Sequence, residues 1–329
     1  MSLYEASDAG SPRHPRKDLS MAFSKILVPQ DSSLLAEQAI PFAQALASDD
    51  GTLIYLMVVP QADAIYGLTG STVASSAEVG AMFQENASTD LRDLASRWVA
   101  VAPHYEIAIA TGDPTDQILK TAEERGAELI VIASHGRGAL GRWTFGSVAD
   151  RISRTSSIPV MIVRPQDGDN AHRTVPEIDR VILPTDGSKL SEAATKQALA
   201  IAKRINRPLV LLRAIFPEAE LAPTTGYSAV YAPDIYNELA ESLEKDAQAT
   251  LETLAASLRD QGAEIITELR DGPAAQTIQE FATPKDLIVM TSHGRSGFRR
   301  WLIGSVAEKL VRTAPCPVVL VRAENEADS

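Results

Sequence analysis

Cysteine is almost absent from this chain, with Cys316 the single one in 329 residues. That excludes an internal disulfide framework and leaves a thiolate zinc site without ligands. Basic charge is also short: 31 Lys and Arg stand against 43 Asp and Glu, a formal net charge of −12. Divided after Asn170, the chain carries −8 (13 basic, 21 acidic) and then −4 (18 basic, 22 acidic). Neither half is basic, which argues against sequence-independent nucleic-acid binding, because that binding rests on counterion release by Lys and Arg. Apolar runs are short, and none approaches the roughly 18 residues of a membrane span. The polar start, with Asp8, Arg13, Arg16, Lys17 and Asp18, lacks the apolar stretch of a secretory signal. The expectation is a soluble, cytoplasmic protein with neither a nucleic-acid nor a membrane partner.

What the chain does have is a second copy of itself. Lys25-Ile-Leu-Val-Pro-Gln-Asp31-Ser-Ser33 returns 155 residues later as Arg180-Val-Ile-Leu-Pro-Thr-Asp186-Gly-Ser188. Ser134-His-Gly-Arg137 returns 158 residues later as Ser292-His-Gly-Arg295. The same 158 relates Arg142-Trp143 to Arg300-Trp301, Gly146-Ser-Val-Ala149 to Gly304-Ser-Val-Ala307, and Pro159-Val160 to Pro317-Val318. A period this long marks a duplicated domain, not a solenoid. The expected domains are 22–165 and 178–323, with a tail at 1–21, a linker at 166–177 and a short end at 324–329.

Each copy alternates strand-like and helix-like patterns. Ile26–Val28 and Val181–Leu183 are short apolar runs ending at proline, as buried parallel strands do. Ser33–Ala47 places Leu35, Ala39, Phe42, Ala43 and Leu46 on one helical face, and the copy does the same with Leu190, Ala194, Ala198, Ile201 and Ile205. Second strands are expected at Leu53–Val59 and Leu209–Phe216, followed by long segments at Pro60–Asn86 and Pro217–Pro233. A second helix follows, clearest as Leu239, Leu243, Ala247, Leu251, Leu254 and Leu258. Third strands fall at Tyr105–Ala110 and Glu264–Leu269, and Gly112-Asp-Pro114 and Gly272-Pro273 open third helices. Leu129–Ala133 and Asp286–Met290, Val148–Thr155 and Val306–Thr313, and Val160–Arg164 and Val318–Arg322 complete the series. The fold class is therefore α/β, two tandem open parallel five-stranded sheets with helices on both faces. Ligands in such sheets bind beyond the carboxyl ends of the strands where the strand order reverses, which points to the segments after strands 1 and 4.

After strand 4 stand Ala133-Ser-His-Gly136, nine residues, and Gly146-Ser147; the copy has Thr291-Ser-His-Gly294, nine residues, and Gly304-Ser305. These residues resemble the universal stress protein family, whose ATP-binding members carry Gly-x-x-Gly, nine residues, Gly-Ser/Thr in this loop. The resemblance extends over nearly all of both copies, including the strand-1 Pro-x-Asp and the final Pro-Val strand. It implies a Rossmann-like, tandem two-domain stress-response protein that binds ATP, with or without Mg2+, in one or both domains. Residue by residue, it implies a ribose contact for Asp31 and Asp186 and places Val58 and Ala214 near the adenine. It also implies nucleotide-binding positions in the loop and helix start: Ala133, His135, Gly136, Arg137, Gly146, Ser147 and Val148, with Thr291, His293, Gly294, Arg295, Gly304, Ser305 and Val306. Glycines let backbone N–H groups approach an anion, and a helix N-terminus adds its dipole. Arg142, Arg299 and Arg300 bring further positive charge to an otherwise acidic protein. The resemblance also implies pairing through strand 5, here between 160–164 and 318–322 of one chain, and leaves open a homodimer of such chains.

Simpler roles stand beside these. Ser147 with Asp150 and Ser305 with Glu308 have the spacing of capping boxes, and Asp31 and Asp186 could cap the first helix. His135 and His293 have no metal-ligand spacing around them and read as hydrogen-bonded loop residues. Cys316 reads as a small buried apolar residue. The family pattern's first glycine is Ala133 in one copy and Thr291 in the other, where a Cβ could clash with a nucleotide or the backbone could need glycine. No nucleophile elbow or phosphate-loop lysine is present, so no catalytic residue is assigned. A scaffold without nucleotide, or a weak ATPase or autophosphorylation at Ser147 or Ser305, remains the alternative.

Overall fold

A computed structural model describes residues 23–61, 76–99, 104–134, 145–165, 176–188, 191, 193–216, 233–292 and 303–322. The first copy, unit one, runs β1 (Phe23–Gln30), α1 (Leu34–Glu37), α2 (Ala39–Leu46), β2 (Ala47–Val59), α3 (Ser76–Trp98), β3 (Tyr105–Thr111), α4 (Pro114–Arg125), β4 (Leu129–Ala133), α5 (Ser147–Thr155) and β5 (Val160–Val163). Unit two repeats it as β6 (Arg180–Pro184), α6 (Thr195–Ile205), β7 (Leu209–Ile215), α7 (Pro233–Arg259), β8 (Ile265–Asp271), α8 (Ala274–Phe281), β9 (Asp286–Thr291), α9 (Ser305–Thr313) and β10 (Val318–Val321).

The two five-stranded sheets join into one of ten, in the order β3-β2-β1-β4-β5-β10-β9-β6-β7-β8. Every pairing within a unit is parallel, and the pairing of β5 with β10 is antiparallel. Val160 faces Leu320, Met161 faces Val319 and Ile162 faces Val318. An antiparallel join of two copies through the same strand is what a pseudo-two-fold axis requires. All eight residues of β5 and β10 are buried. Each such aliphatic side chain contributes about 1.5–3 kcal/mol by leaving water, and the join removes two apolar sheet edges.

Helices cover both faces. α2, α3, α6 and α7 pack on one, around Ile40, Leu91, Leu199 and Leu251; α4, α5, α8 and α9 pack on the other, around Ile118, Ile152, Ile278 and Leu310. Helix 1 of unit one is broken at Gln38, unlike the continuous helix expected over Ser33–Ala47. Pro41 explains the break: it has no N–H to offer the carbonyl of Glu37, and its ring crowds that carbonyl. α3 starts at Ser76, inside the long segment 60–86 that the sequence pattern sets before the second helix, because its first turns are mostly exposed and carry no apolar stripe. The buried stripe begins at Ala87 and continues through Leu91, Leu94, Ala95 and Trp98. β2 reaches back to Ala47, with an irregular register between Phe23–Ala47 and Lys25–Thr52. Among the described residues no helix is long and apolar enough to cross a membrane.

Candidate functional site

β1 leads to helices on one face and β4 to α5 on the other, and the two strands are neighbours. A crevice therefore opens where their chains diverge, and unit two repeats it between β6 and β9. In unit two this crevice is a pocket of about 250 Å3. It unites Asp186, Ala214, Thr291, Gly304, Ser305 and Val306, six positions singled out by sequence from four separate stretches of chain. Leu212, Met290, Ala274 and Ile278 add apolar walls, and Thr185, Ser191 and Ser292 add hydroxyls. Ala274 and Ile278 lie one turn apart on α8; the Gly272-Pro273 helix start was the signal that could have found them.

Asp186 accepts from the backbone N–H of Ser188 (3.0 Å) and from its hydroxyl (2.6 Å). Ser188 Oγ in turn accepts from the N–H of Ser191 (3.2 Å). Unit one repeats this: Asp31 receives the N–H (3.0 Å) and hydroxyl (2.5 Å) of Ser33, which accepts from Ala36 N–H at 3.1 Å. The cap of helix 1 in unit one is therefore Ser33, not Asp31; the aspartate stands two residues outside and holds the capping serine in place. Gly187, between Asp186 and Ser188, has φ +74°, and its counterpart Ser32 adopts φ +62°. Only glycine takes that conformation without strain.

The expected capping boxes do not form. The caps of α5 and α9 are Gly146 and Gly304, both extended, and Ser147 and Ser305 are the first helical residues. The glycines cap because their N–H groups bond back to the ends of strand 4: Gly146 to Ser134 O (2.8 Å) and Gly304 to Ser292 O (2.7 Å). Those bonds pull the chain into the helix one residue early. Asp150 and Glu308 turn instead to arginines across the unit boundary. Both serines are left exposed at the first turn, where backbone N–H groups lack helical partners.

Ala133 and Thr291 end β4 and β9 with their side chains buried. Among the described residues, Ser32 and Asn206 are the non-glycine positions with positive φ. The backbone at Ala133 and Thr291 thus needs no glycine, which removes one of the two objections raised by their sequence. Val58 and Val148 of unit one lie half-buried against the core on the face covered by α4, α5, α8 and α9, at positions equivalent to Ala214 and Val306. His135, Gly136, Arg137, His293, Gly294 and Arg295, with Arg142, Arg299 and Arg300, lie outside the described residues. Among the described residues no group of three or more His, Cys, Asp or Glu could hold a metal ion.

A sequence model of the Universal stress protein family matches residues 22–164 and again 177–322. The chain belongs to the universal stress protein family. A universal stress protein of Mycolicibacterium smegmatis is 27% identical over 303 residues, covering 90% of this chain and 96% of its own length. Universal stress protein MJ0531 of Methanocaldococcus jannaschii is 33% identical over 159 residues, 48% of this chain and 86% of its own. The crystal structure of a universal stress protein from Archaeoglobus fulgidus superposes with a TM-score of 0.62 at 20% identity, covering 94% of this chain and all of that one. That last likeness is one of fold.

Proposed function

We propose that this universal stress protein binds ATP in the pocket between β6 and β9 and acts as a nucleotide-responsive regulatory protein. The observation that supports this reading is the convergence, in one crevice, of an apolar slot, a carboxylate and a helix N-terminus. The slot walls of Leu212, Ala214, Met290 and Ile278 suit a flat base, which gains by leaving water. Asp186 stands where ribose hydroxyls could donate to it. Gly304 and Ser305 open α9, whose unpaired N–H groups and dipole favour an anion. Ser305 is not consumed by capping and has its hydroxyl at the same rim. The residues present therefore fit a nucleotide. Among the described residues that line the pocket, no nucleophile is paired with a base, and the reading is of a binding protein.

Calorimetric titration of the whole chain with ATP tests it. Saturable binding that Ala214→Phe abolishes, by filling the slot, is the expected result. No binding at millimolar ATP, or binding indifferent to Ala214→Phe, sinks the proposal. The internal closure of β5 on β10 then favours the scaffold reading, in which the sheet presents its loops to other proteins.

A further inference from the structure

A second cleft lies on the opposite face of unit two, between the end of β6 and α7, with a volume of about 600 Å3. Thr185 forms part of the wall of both clefts, so the two are separated by little more than the end of one strand. Arg213 of β7 lines this second space from a partly buried position. Its guanidinium lies against Gly187, so close that a Cβ there would stand 2.8 Å from Nη1. No ion pair or hydrogen bond joins Arg213 to any group among the described residues. A guanidinium held partly out of water without a counter-ion is costly, and an anion arriving there would recover that cost.

The facing wall has the complementary character. Thr250, Thr253 and Ser257 follow one side of α7, and their hydroxyls donate to carbonyls of their own helix: Asp246 O (2.8 Å), Ala249 O (2.8 Å) and Leu254 O (2.7 Å). With its hydrogen already used, each hydroxyl offers the cleft an oxygen that accepts. The Asp246 carboxylate, on the same wall, also accepts. A ligand matching both walls has one anionic group for Arg213 and several hydroxyls that donate to α7.

Unit one has the equivalent cleft, of about 210 Å3, with a different character. Met57 stands one residue before Val58 just as Arg213 stands one before Ala214, and Asp90 and Asp93 occupy the positions of Thr250 and Thr253. An anion would meet the carboxylates of Asp90 and Asp93 there, and the one cation among the described lining residues, Arg97, is bound to Glu37 at 2.5 Å. The chain thus carries its own negative control.

We propose that the cleft of unit two between β6 and α7 binds a small polyol bearing one acidic group, of the sugar-phosphate or sugar-acid class. The site is separate from the nucleotide pocket and does not depend on it. The test is calorimetry and thermal shift of the whole chain with glucose 6-phosphate as probe, and with glucose and inorganic phosphate singly. Saturable binding of glucose 6-phosphate, tighter than either fragment, is expected, with affinity reduced at least about tenfold in Arg213→Met and severalfold in Thr250→Val. Methionine is what unit one carries at this position, and Arg213→Lys, which keeps the charge, should retain part of the binding. Ala214→Phe, which fills the nucleotide pocket, should leave it unchanged. Absence of binding at millimolar probe, affinity unchanged in Arg213→Met, or loss in Ala214→Phe alone would each overturn the proposal; the last would put the phosphate on the other face.

Discussion

Arg154 of unit one reaches Glu308 of unit two at 3.3 Å while holding both carboxylate oxygens of Asp150, one turn back, at 3.1 Å. Arg312 returns the contact, to Glu308 at 3.3 Å and to Asp150 at 3.4 Å. The four charges form a closed alternating ring on the pseudo-two-fold axis, built by α5 and α9. Arg164 extends it by donating to the carbonyls of Ala314 and Arg312, and Arg322 by donating to that of Ser156. The helices that begin at Ser147 and Ser305 therefore end bound to each other.

The ring is partly exposed, so its pairwise energies are small. A double-mutant cycle of Arg154→Ala and Glu308→Ala should show a coupling of about 0.5–1 kcal/mol in urea unfolding. It should shrink in molar salt. Reversal by Arg154→Glu, which sets three carboxylates together, should cost more than the alanine variant. Equal stability of the two would show that the ring carries no net interaction.

Residues 1–170 alone would expose the β5 edge that β10 now covers, with Val160, Met161 and Ile162 losing their partners. Light scattering should find this half as a dimer of itself, since the same strand can pair with its own copy by the same antiparallel geometry. Val160→Lys with Ile162→Lys should keep it monomeric. A wild-type half that stays monomeric would show that the edge does not drive association.

Asp286 is 1% exposed and is held by Arg180 at 2.8 Å and by the N–H of Thr283 at 2.7 Å. Arg180 also lies 4.4 Å from the centre of the Phe281 ring. Asp286→Ala would strand the guanidinium in a half-buried site, with an expected loss of about 3–5 kcal/mol. Loss of less than 1 kcal/mol in denaturant unfolding, on the order of a surface pair, would show that Arg180 finds water instead.

Cys316 is buried as its sequence context indicated, and burial, reinforced by the nearby Asp286 charge, pushes its thiol up to about 12. The folded chain should resist a thiol reagent at pH 8 and react at the normal rate once unfolded. The sign of the linkage follows. The unfolded thiol ionises near its ordinary value of 9.0 while the folded one holds its proton to about 12. Stability conferred by the protonated thiol is thus complete below pH 9.0 and declines as pH rises towards about 12, by about 1.4 kcal/mol per unit. Burial of Tyr55, whose hydroxyl is also raised, acts in the same direction at higher pH. Cys316→Ala should flatten the alkaline slope; an unchanged slope would assign it to other groups.

The amino-acid sequence by itself determined the duplication, the β/α alternation and the positions of Asp186, Ala214, Thr291, Gly304, Ser305 and Val306. Those features depend on local pattern: apolar period, proline and glycine punctuation, and the recurrence of short motifs at offsets of 155 and 158. Tertiary structure alone decided what depends on neighbours distant in the chain. Gly146 and Gly304 became caps because Ser134 and Ser292 offered carbonyls, and the acidic residues expected to cap found arginines of the other unit. Pro41 broke a helix whose apolar face reads as continuous, because a missing donor leaves no mark on hydrophobic period. Arg213 and the hydroxyls of α7 lie about 40 residues apart in sequence, beyond any local periodicity. Only the folding of α7 onto the sheet brings them to one cleft.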